Sequence, residues 1–326
     1  MVLRLDTDAG TGWGAASPTV AVSGDTEEGI VRDALLASAR LDGATWDHPA
    51  EVLAGLGCES ASGLAAVDMA LHDAWARSLG QPLWQLLGGS RPALLTDLTV
   101  SVDDPSAMAA AAEAAVAAGF FVLKVKVGAD PENDQTRVEA VAAAAPGATL
   151  RIDANQGWSA DEAIRIVTAL EEAGLPLDLV EQPVPAHDLA GLAAVRSAIR
   201  TPVLADEAVF SPTDVRRVLE LGAADLLNVK LLKAGGIAPA LEIAQVAEEA
   251  GVGCMIGAMM ESTVGIAAAA AVACGRSPFE RADLDPPLLA ATEPVVGGLV
   301  VEGPALAPAD APGLGIDDVL GVSWIS

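Results

Sequence analysis

Short apolar runs alternate with alanine-rich stretches along this chain from about residue 95 onward. The runs are five to seven residues long and rich in branched side chains, which is typical of buried β-strands. The stretches between them have helical composition, and those at 105–119 and 159–174 each end at a glycine that can cap a helix. The eight predicted strands span 98–102, 121–127, 149–154, 177–182, 202–207, 225–230, 251–257 and 280–285.

Eight such strand and helix units in about 190 residues predict a closed (β/α)8 barrel, the modified TIM-barrel form of an α/β fold. In such a barrel the chemistry is expected at the carboxyl ends of the strands, where the loops toward the helices begin. An open, doubly wound sheet is the alternative architecture for the same alternation.

The first 92 residues do not show this alternation of strands and helices, which indicates a separate α+β domain. Residues 2–17 have the pattern of a β-hairpin, and residues 63–80 that of a long amphipathic helix. After residue 290 the tail is rich in proline and glycine, contains a short strand at 297–303, and is expected to return to the first domain. We therefore predict domains at 1–92 and 93–290, with a C-terminal return at 291–326.

The composition excludes several classes of function. A net charge of −27 and an isoelectric point near 4.2 argue against nucleic acid and anionic membranes as partners, since both require a basic surface. No apolar run reaches the ~20 residues that a membrane-spanning helix needs, and the opening residues do not resemble a secretion signal. Cys58, Cys254 and Cys274 lack metal-ligand spacing and are interpreted as reduced thiols of a cytoplasmic protein.

Acidic residues end three consecutive predicted strands. Asp153, Glu181 and Asp206 each follow an apolar run, where an unpaired carboxylate would be strongly unfavourable inside a core. Because the carboxyl ends of parallel strands meet at one rim of a barrel, we expect these three side chains to converge there. A site of three carboxylates without histidine or cysteine suits Mg²⁺ and fits zinc poorly.

The chain contains only four lysines, and they form two close pairs. Lys124 and Lys126 lie in the second predicted strand, where alternation places them on one inward face; Lys230 ends the sixth strand and Lys233 follows it. Lysine can be made neutral near pH 7 and can then accept a proton, whereas arginine cannot. A metal between two lysines on opposite sides of a barrel predicts a racemase or epimerase, with proton removal on one face of a carbon and return on the other.

These residues, in the segments KVK, DAN, EQP, DE and NVK, resemble in order and spacing the enolase superfamily, and within it the muconate-lactonizing subgroup and its dipeptide epimerases. The segment at 65–89 resembles the helix and loop that join this family's capping domain to its barrel. The resemblance implies one Mg²⁺ per active site, bound by the three acids. It implies that Lys126 and Lys230 are the acid/base catalysts. The supporting residues that it implies are Lys124, which favours the neutral form of Lys126, and Asn155 and Glu207.

Asp283 and Asp285 in the last predicted strand resemble the paired acids with which dipeptide epimerases hold a substrate's α-ammonium group. An acidic pair suits a cationic ligand and would repel a dicarboxylate. The resemblance thus implies an isomerase that inverts the C-terminal residue of a small-molecule dipeptide such as Ala-Glu, through an enediolate. A cycloisomerase or succinylbenzoate synthase of the same superfamily is the first alternative, and an inactive or ligand-binding barrel is the second.

One departure from the family pattern concerns the N-terminal end. Members of the family begin with a further strand and a lid loop, whereas the first residues of this sequence resemble the family's second strand. We expect an incomplete capping domain with an exposed sheet edge, which would favour association into a homo-oligomer.

Overall fold

The structure is a computed structural model that describes residues 1–8, 10–89 and 93–325. Within them the chain forms fifteen strands and thirteen helices, numbered in chain order. The strands are β1 Val2–Thr7, β2 Gly10–Ala15, β3 Leu94–Leu95, β4 Leu98–Val100, β5 Val122–Lys126, β6 Thr149–Asp153, β7 Leu177–Glu181, β8 Val203–Ala205, β9 Leu226–Lys230, β10 Gly253–Gly257, β11 Phe279–Asp283, β12 Val295–Gly297, β13 Leu299–Glu302, β14 Ala305–Pro308 and β15 Ile316–Val319. The helices are α1 Glu27–Leu41, α2 Ala50–Leu53, α3 Ala61–Ser78, α4 Leu83–Leu86, α5 Pro105–Ala117, α6 Pro131–Ala144, α7 Ala160–Glu172, α8 Leu189–Ala198, α9 Pro212–Glu220, α10 Leu231–Ala234, α11 Ile237–Ala250, α12 Thr263–Gly275 and α13 Pro286–Leu289.

The strands β4 to β11 form one parallel eight-stranded sheet whose spatial order follows the chain. All eight predicted barrel strands are therefore confirmed, although most are one or two residues shorter than predicted. A doubly wound sheet would reverse its strand order at a switch point, and this order does not. The fold is the predicted (β/α)8 barrel.

Local sequence explains the barrel helices. Ser159 caps α7 and forms a reciprocal capping box with Glu162, while α5 begins with Pro105 directly after Asp104. The predicted glycine stops after these helices are present, and Gly119 and Gly174 have φ values of 93° and 74° that other residues rarely adopt.

The described residues cluster into two compact units, one of which contains residues 96–228 and 246–255. It holds β4 to β8 with their helices. Its core is built from buried apolar side chains on the strands, and these include Leu179, Leu204, Leu226 and Met255. An ion-pair network links Asp97, which precedes β4, to β6 and β7: Arg151 Nη1 lies 2.7 Å from Asp97 Oδ2, and Arg151 Nε lies 3.0 Å from Asp178 Oδ2.

The other unit contains residues 1–95, 229–245 and 256–326. As predicted, β1 and β2 form an antiparallel hairpin. The long helix α3 differs from the prediction, because most of its residues are buried, so it is not amphipathic. It contacts β2, α1 and α10, which together leave little of its surface to solvent. Gly12 and Gly14 in β2 permit this packing, since a Cβ on either would meet the α3 backbone at about 2 Å.

The C-terminal residues of the same unit bind the region around α3 and α4. Leu314 N donates to Asp73 Oδ1 at 2.7 Å, and Leu83 N donates to Gly313 O at 2.8 Å. The predicted strand at 297–303 is present as β13, which pairs with β14, and β14 pairs with β3. The domain limits at 92 and 290 stay a prediction, and the first of them falls at residues 90–92, outside the described residues.

Across the part of the chain that the structure describes, no helix combines the length and hydrophobicity needed to cross a membrane. Cys58, Cys254 and Cys274 are free thiols, as predicted. Burial raises the pKa of Cys254 to about 12, which leaves this thiol protonated and unreactive.

Candidate active site

The carboxyl ends of β5, β6 and β7 bring charged residues side by side. Lys126, Asp153 and Glu181 are the last residues of these strands, and the register pairs Lys126 with Asp153 and Asp153 with Glu181. Asp206 follows β8, the next strand in the sheet. The three predicted acids are buried in spite of their charge, with exposures of 0% for Asp153 and Glu181 and 2% for Asp206.

The two lysines of β5 neutralise part of this charge. Lys124 is 1% exposed, and its Nζ lies 3.0 Å from Asp153 Oδ2 and 2.8 Å from Glu181 Oε2. Lys126 is more accessible, and its Nζ lies 2.6 Å from the same Asp153 Oδ2 and donates to Asn155 Oδ1 at 3.1 Å. Both side chains therefore point to the face on which the alternation of β5 places them.

The donor set at this rim fits Mg²⁺. Carboxylate oxygens from three neighbouring strand ends are hard ligands, and a buried group of acids gains stability from a divalent cation. In the described residues no group of three His, Cys, Asp or Glu side chains is already spaced as a metal centre. The ammonium of Lys124 lies between Asp153 and Glu181, so a metal would take over charge compensation that the lysines now provide.

The backbone at the same rim is strained. Asn155, Gln156 and Gln182 have φ values of 43°, 68° and 34°, in the left-handed region that residues other than glycine seldom adopt. Asn155 and Gln156 lie two and three residues after Asp153, and Gln182 directly follows Glu181. Such strain typically accompanies functional sites. Asn155 also donates from Nδ2 to Glu207 Oε1 at 3.3 Å, which joins the two residues predicted to have supporting roles.

Two buried amides of this rim were missed by the sequence analysis. Asn228 donates from Nδ2 to Glu181 Oε1 at 2.8 Å, and Gln182 Oε1 accepts from the backbone N–H groups of Asp206 and Ala208. The signal for Asn228 was available, since a polar residue interrupts the apolar run of β9. These amides hold the carboxylate of Glu181 and the backbone that carries Asp206.

The other unit contains the remaining predicted residues. Lys230 ends β9 and Lys233 lies in α10, and both are buried, at 6% and 2% exposure. Asp283 ends β11, and Asp285 is the N-cap of α13 with φ −83° and ψ −7°. The strand was predicted to continue to residue 285, so the alternation argument for a shared direction does not extend to Asp285. Both acids are nevertheless buried.

Glu261 is a further candidate that the sequence analysis did not name. It lies in the loop that joins β10 to α12, at the same end of the sheet as Lys230. Burial raises the pKa of its carboxyl group to about 7, against an opposing effect of the Lys230 charge. A carboxyl group whose pKa is perturbed in this way is a candidate functional residue.

Family models match both parts of the chain. Residues 107–318 match the model described as enolase C-terminal domain-like, and residues 1–88 match the N-terminal domain of mandelate racemase and muconate lactonizing enzyme. Together the two matches cover most of the chain.

Curated relatives and solved structures match nearly the whole length of the chain. The chain is 42% identical to the L-Ala-D/L-Glu epimerase of Bacillus subtilis, over 97% of this chain and 88% of that protein. A substrate-liganded complex of the B. subtilis epimerase superposes with a TM-score of 0.93 at 41% identity, covering 98% of this chain and 90% of that one. The dipeptide epimerase of Enterococcus faecalis, complexed with Mg and the dipeptide L-Leu-L-Tyr, superposes with a TM-score of 0.90 at 36% identity, with coverage of 97% and 91%.

Proposed function

Because the chain belongs to the enolase superfamily, we propose that it is a Mg²⁺-dependent dipeptide epimerase, an isomerase that inverts the α-carbon of a dipeptide's C-terminal residue. Ala-Glu is the first candidate substrate, since the B. subtilis relative acts on L-Ala-D/L-Glu. The observation that carries the proposal is the placement of Lys126 and Lys230 at the ends of β5 and β9, together with the three buried acids that end β6 and β7 and follow β8.

Asp153, Glu181 and Asp206 would hold the Mg²⁺. When bound there, the metal supplies positive charge that stabilises the negative charge developing on the substrate's carboxylate. Lys124, which faces two of the three acids, keeps their charge compensated and orients them.

Lys126 and Lys230 would carry the proton. The neutral amine of one lysine takes the α-proton, the electron pair of the broken C–H bond moves into the carboxylate to give an enediolate, and the ammonium of the other lysine returns a proton to the opposite face. Three strands separate β5 from β9 in the sheet order, and strands so separated stand on opposite sides of a closed barrel of eight. This order supports the assignment of the two lysines to opposite faces.

Asp283 and Asp285 would bind the α-ammonium group of the dipeptide. Two buried carboxylates favour a cationic partner and exclude an anionic one by charge repulsion. The burial of both acids, at the last residue of β11 and two residues after it, is the observation that supports a dipeptide over a dicarboxylate substrate.

The proposal is tested by ¹H NMR of a dipeptide panel, led by L-Ala-L-Glu, with protein and Mg²⁺ in D₂O. Loss of the C-terminal α-proton signal together with appearance of the diastereomer is the expected result. Absence of exchange with every dipeptide would contradict it and would favour the cycloisomerase or succinylbenzoate synthase alternative, or an inactive barrel.

The separate roles of Lys126 and Lys230 are tested by substituting each with arginine, which keeps the positive charge but cannot be deprotonated. Lys126→Arg should abolish α-proton exchange from one epimer and Lys230→Arg from the other, each by about 10²- to 10⁴-fold. The control is the same exchange measured from the opposite epimer of each variant. Equal loss from both epimers in both variants would contradict the two-base mechanism.

A cytoplasmic location and assembly into a homo-oligomer remain parts of this proposal. The three free thiols support the first, and the β1 edge, which within the described residues pairs only with β2, supports the second.

A further inference from the structure

A cavity of about 250 Å³ lies between the loops that follow β7 and β8. Its lining comes from the segments 186–189 and 207–217. Both loops leave the carboxyl ends of barrel strands, which is the end at which barrel enzymes bind their ligands. In the part of the chain that the structure describes, none of the three acids assigned to Mg²⁺ and none of the lysines lines this cavity. It is therefore a space separate from the metal site.

The walls of this cavity are held by hydrogen bonds within the protein. Ala186 N donates to Gln156 Oε1 at 2.9 Å in the loop after β7, and Phe210 N donates to Asp214 Oδ2 at 3.2 Å in the loop after β8. Leu189, which is buried, and Phe210, which is half-buried, form an apolar part of the lining. Because the walls are already ordered, a ligand would bind with little loss of conformational entropy in the protein.

Two hydrogen-bond donors of the lining are available to a ligand. Arg217 and His187 are exposed, and within the described residues neither the guanidinium nor the imidazole forms a hydrogen bond or an ion pair. Arg217 lies three residues after Asp214 on α9, a spacing at which opposite charges commonly pair, yet these two side chains form no ion pair. A guanidinium presents its N–H groups in a fork that matches the two oxygens of a carboxylate. The cavity therefore suits a ligand that carries a carboxylate.

Two acids in the same lining limit which carboxylate ligands fit. Glu207 is 7% exposed, and Asp214 is half-buried. Asp214 Oδ2 accepts from Phe210 N and Ser211 Oγ, whereas Asp214 Oδ1 accepts no hydrogen bond from the residues that the structure describes. These acids would repel a simple anion, and Arg217 would repel a simple cation. A ligand with both a carboxylate and an ammonium group is complementary to all of these charges.

We propose that this cavity binds a free α-amino acid, whose carboxylate accepts from Arg217 and His187 and whose ammonium group donates to Asp214. The volume agrees with a single amino acid, since pockets for drug-sized ligands span about 300–1,000 Å³. A short apolar side chain, such as that of alanine, would lie against Leu189 and Phe210. This binding goes beyond the proposed epimerase function and does not depend on it.

The test is a titration of the protein with L-alanine at constant pH in the presence of Mg²⁺, followed by NMR of ¹⁵N-labelled histidine. The chain has three histidines, and the His187→Gln variant identifies the signal of His187. L-Alanine should shift this signal in a saturable manner. N-acetyl-L-alanine lacks the ammonium group and L-alaninamide lacks the carboxylate, so each should bind more weakly by about ten-fold or more, because each loses a charge-assisted hydrogen bond.

Two substitutions on α9 show whether the binding is specific to the cavity. Arg217→Gln should weaken the binding of L-alanine by about ten-fold or more. Arg216→Gln removes the same charge from the neighbouring residue, which is not among the described residues that line the cavity, and should leave the affinity unchanged. Both positions are exposed, so both variants should keep the urea midpoint of the wild type.

Several results would overturn the proposal. If L-alanine causes no saturable shift of the His187 signal, the cavity does not bind amino acids. If either analogue binds as tightly as L-alanine, the cavity does not recognise both charges. If Arg217→Gln binds L-alanine as the wild type does, or no more weakly than Arg216→Gln, then Arg217 does not hold the carboxylate. None of these measurements involves turnover, so the epimerase function stands or fails separately.

Discussion

At the scale of single residues, the site depends on charges that are buried and compensated. Lys124 is almost completely enclosed, and it lies within 3.0 Å of two carboxylates that are themselves inaccessible to water. Each of these charges would be strongly unfavourable alone, because burial removes the water that stabilises it. The arrangement therefore makes the stability of the protein sensitive to the removal of any one member.

Lys124→Met should destabilise the metal-free protein by about 3 kcal/mol or more, because it leaves Asp153 and Glu181 buried next to each other without their shared cation. The free energy of unfolding is measured by urea denaturation in EDTA. Added Mg²⁺ should recover part of the loss, since the metal supplies positive charge to the same acids.

Glu59→Gln is the matched control for that prediction. It removes one partner of the Arg32–Glu59 ion pair, whose side chains are 60% and 78% exposed. Solvent screens such a pair, and the expected loss is below about 1 kcal/mol. A similar decrease in the free energy of unfolding in Lys124→Met and Glu59→Gln would show that Lys124 is not held in a low-dielectric environment.

At the scale of elements, helix α3 fixes the other parts of its unit through buried acids. Asp68 accepts from the backbone N–H groups of Ile237 and Ala238 at the start of α11, and Asp73 accepts from those of Trp13 and Leu314. Gly236, just before α11, has φ 122° and approaches Asp68 so closely that a side chain there would collide with it. The segment that follows Lys230 is thereby attached to α3.

The pairing of His72 with Asp68 makes the stability of the contacts between α3 and the start of α11 depend on pH. Burial disfavours the charged imidazole, but Asp68, whose Oδ1 lies 3.3 Å from His72 Nδ1, outweighs that effect and raises the pKa of His72. The contribution of the His72–Asp68 pair to the free energy of unfolding is therefore complete below about pH 6.5, the pKa of histidine in the unfolded chain. It is lost as pH rises through the higher pKa of His72 in the folded protein.

His72→Gln should lower the free energy of unfolding more at pH 6 than at pH 9. Urea denaturation of wild type and variant at the two pH values measures this difference. A loss of equal size at both would mean that the pairing with Asp68 does not involve a charged imidazole.

At the scale of the whole molecule, the dominant feature is a net charge of −27 on 326 residues. Like charges at this density repel one another in the compact state, and dissolved ions screen the repulsion over about 8 Å at physiological ionic strength. The acids of the site add to this repulsion.

Stability in EDTA should therefore rise with sodium chloride between about 0.01 M and 0.15 M, where the screening length falls from about 30 Å to about 8 Å. The urea midpoint of the metal-free protein measures the effect. Glycerol or another neutral solute at matched concentration serves as the control. A midpoint that falls with salt would show that attraction between surface ion pairs exceeds the general repulsion.

Much of the fold and the main candidates of the site could be predicted because they depend on local patterns. Alternation of apolar runs and alanine-rich stretches identifies strands and helices, and a charge placed after an apolar run identifies a strand end, as at Asp153 and Lys230. The places of Gln182, Asn228 and Glu261 in the site do not follow from the sequence, because a single polar residue in a strand or loop shows no partner until the chain is folded.

By itself the sequence determined the type and order of the elements and the residues at the strand ends, since both follow from spacing along the chain. Only the tertiary structure decided which atoms meet. It placed Lys124 between Asp153 and Glu181, and it buried α3 on nearly all sides although its sequence predicted an exposed face. It also ended β11 at Asp283, so that Asp285 lies outside the strand, at the N-cap position of α13. These outcomes depend on contacts between distant segments, whose energies no local pattern contains.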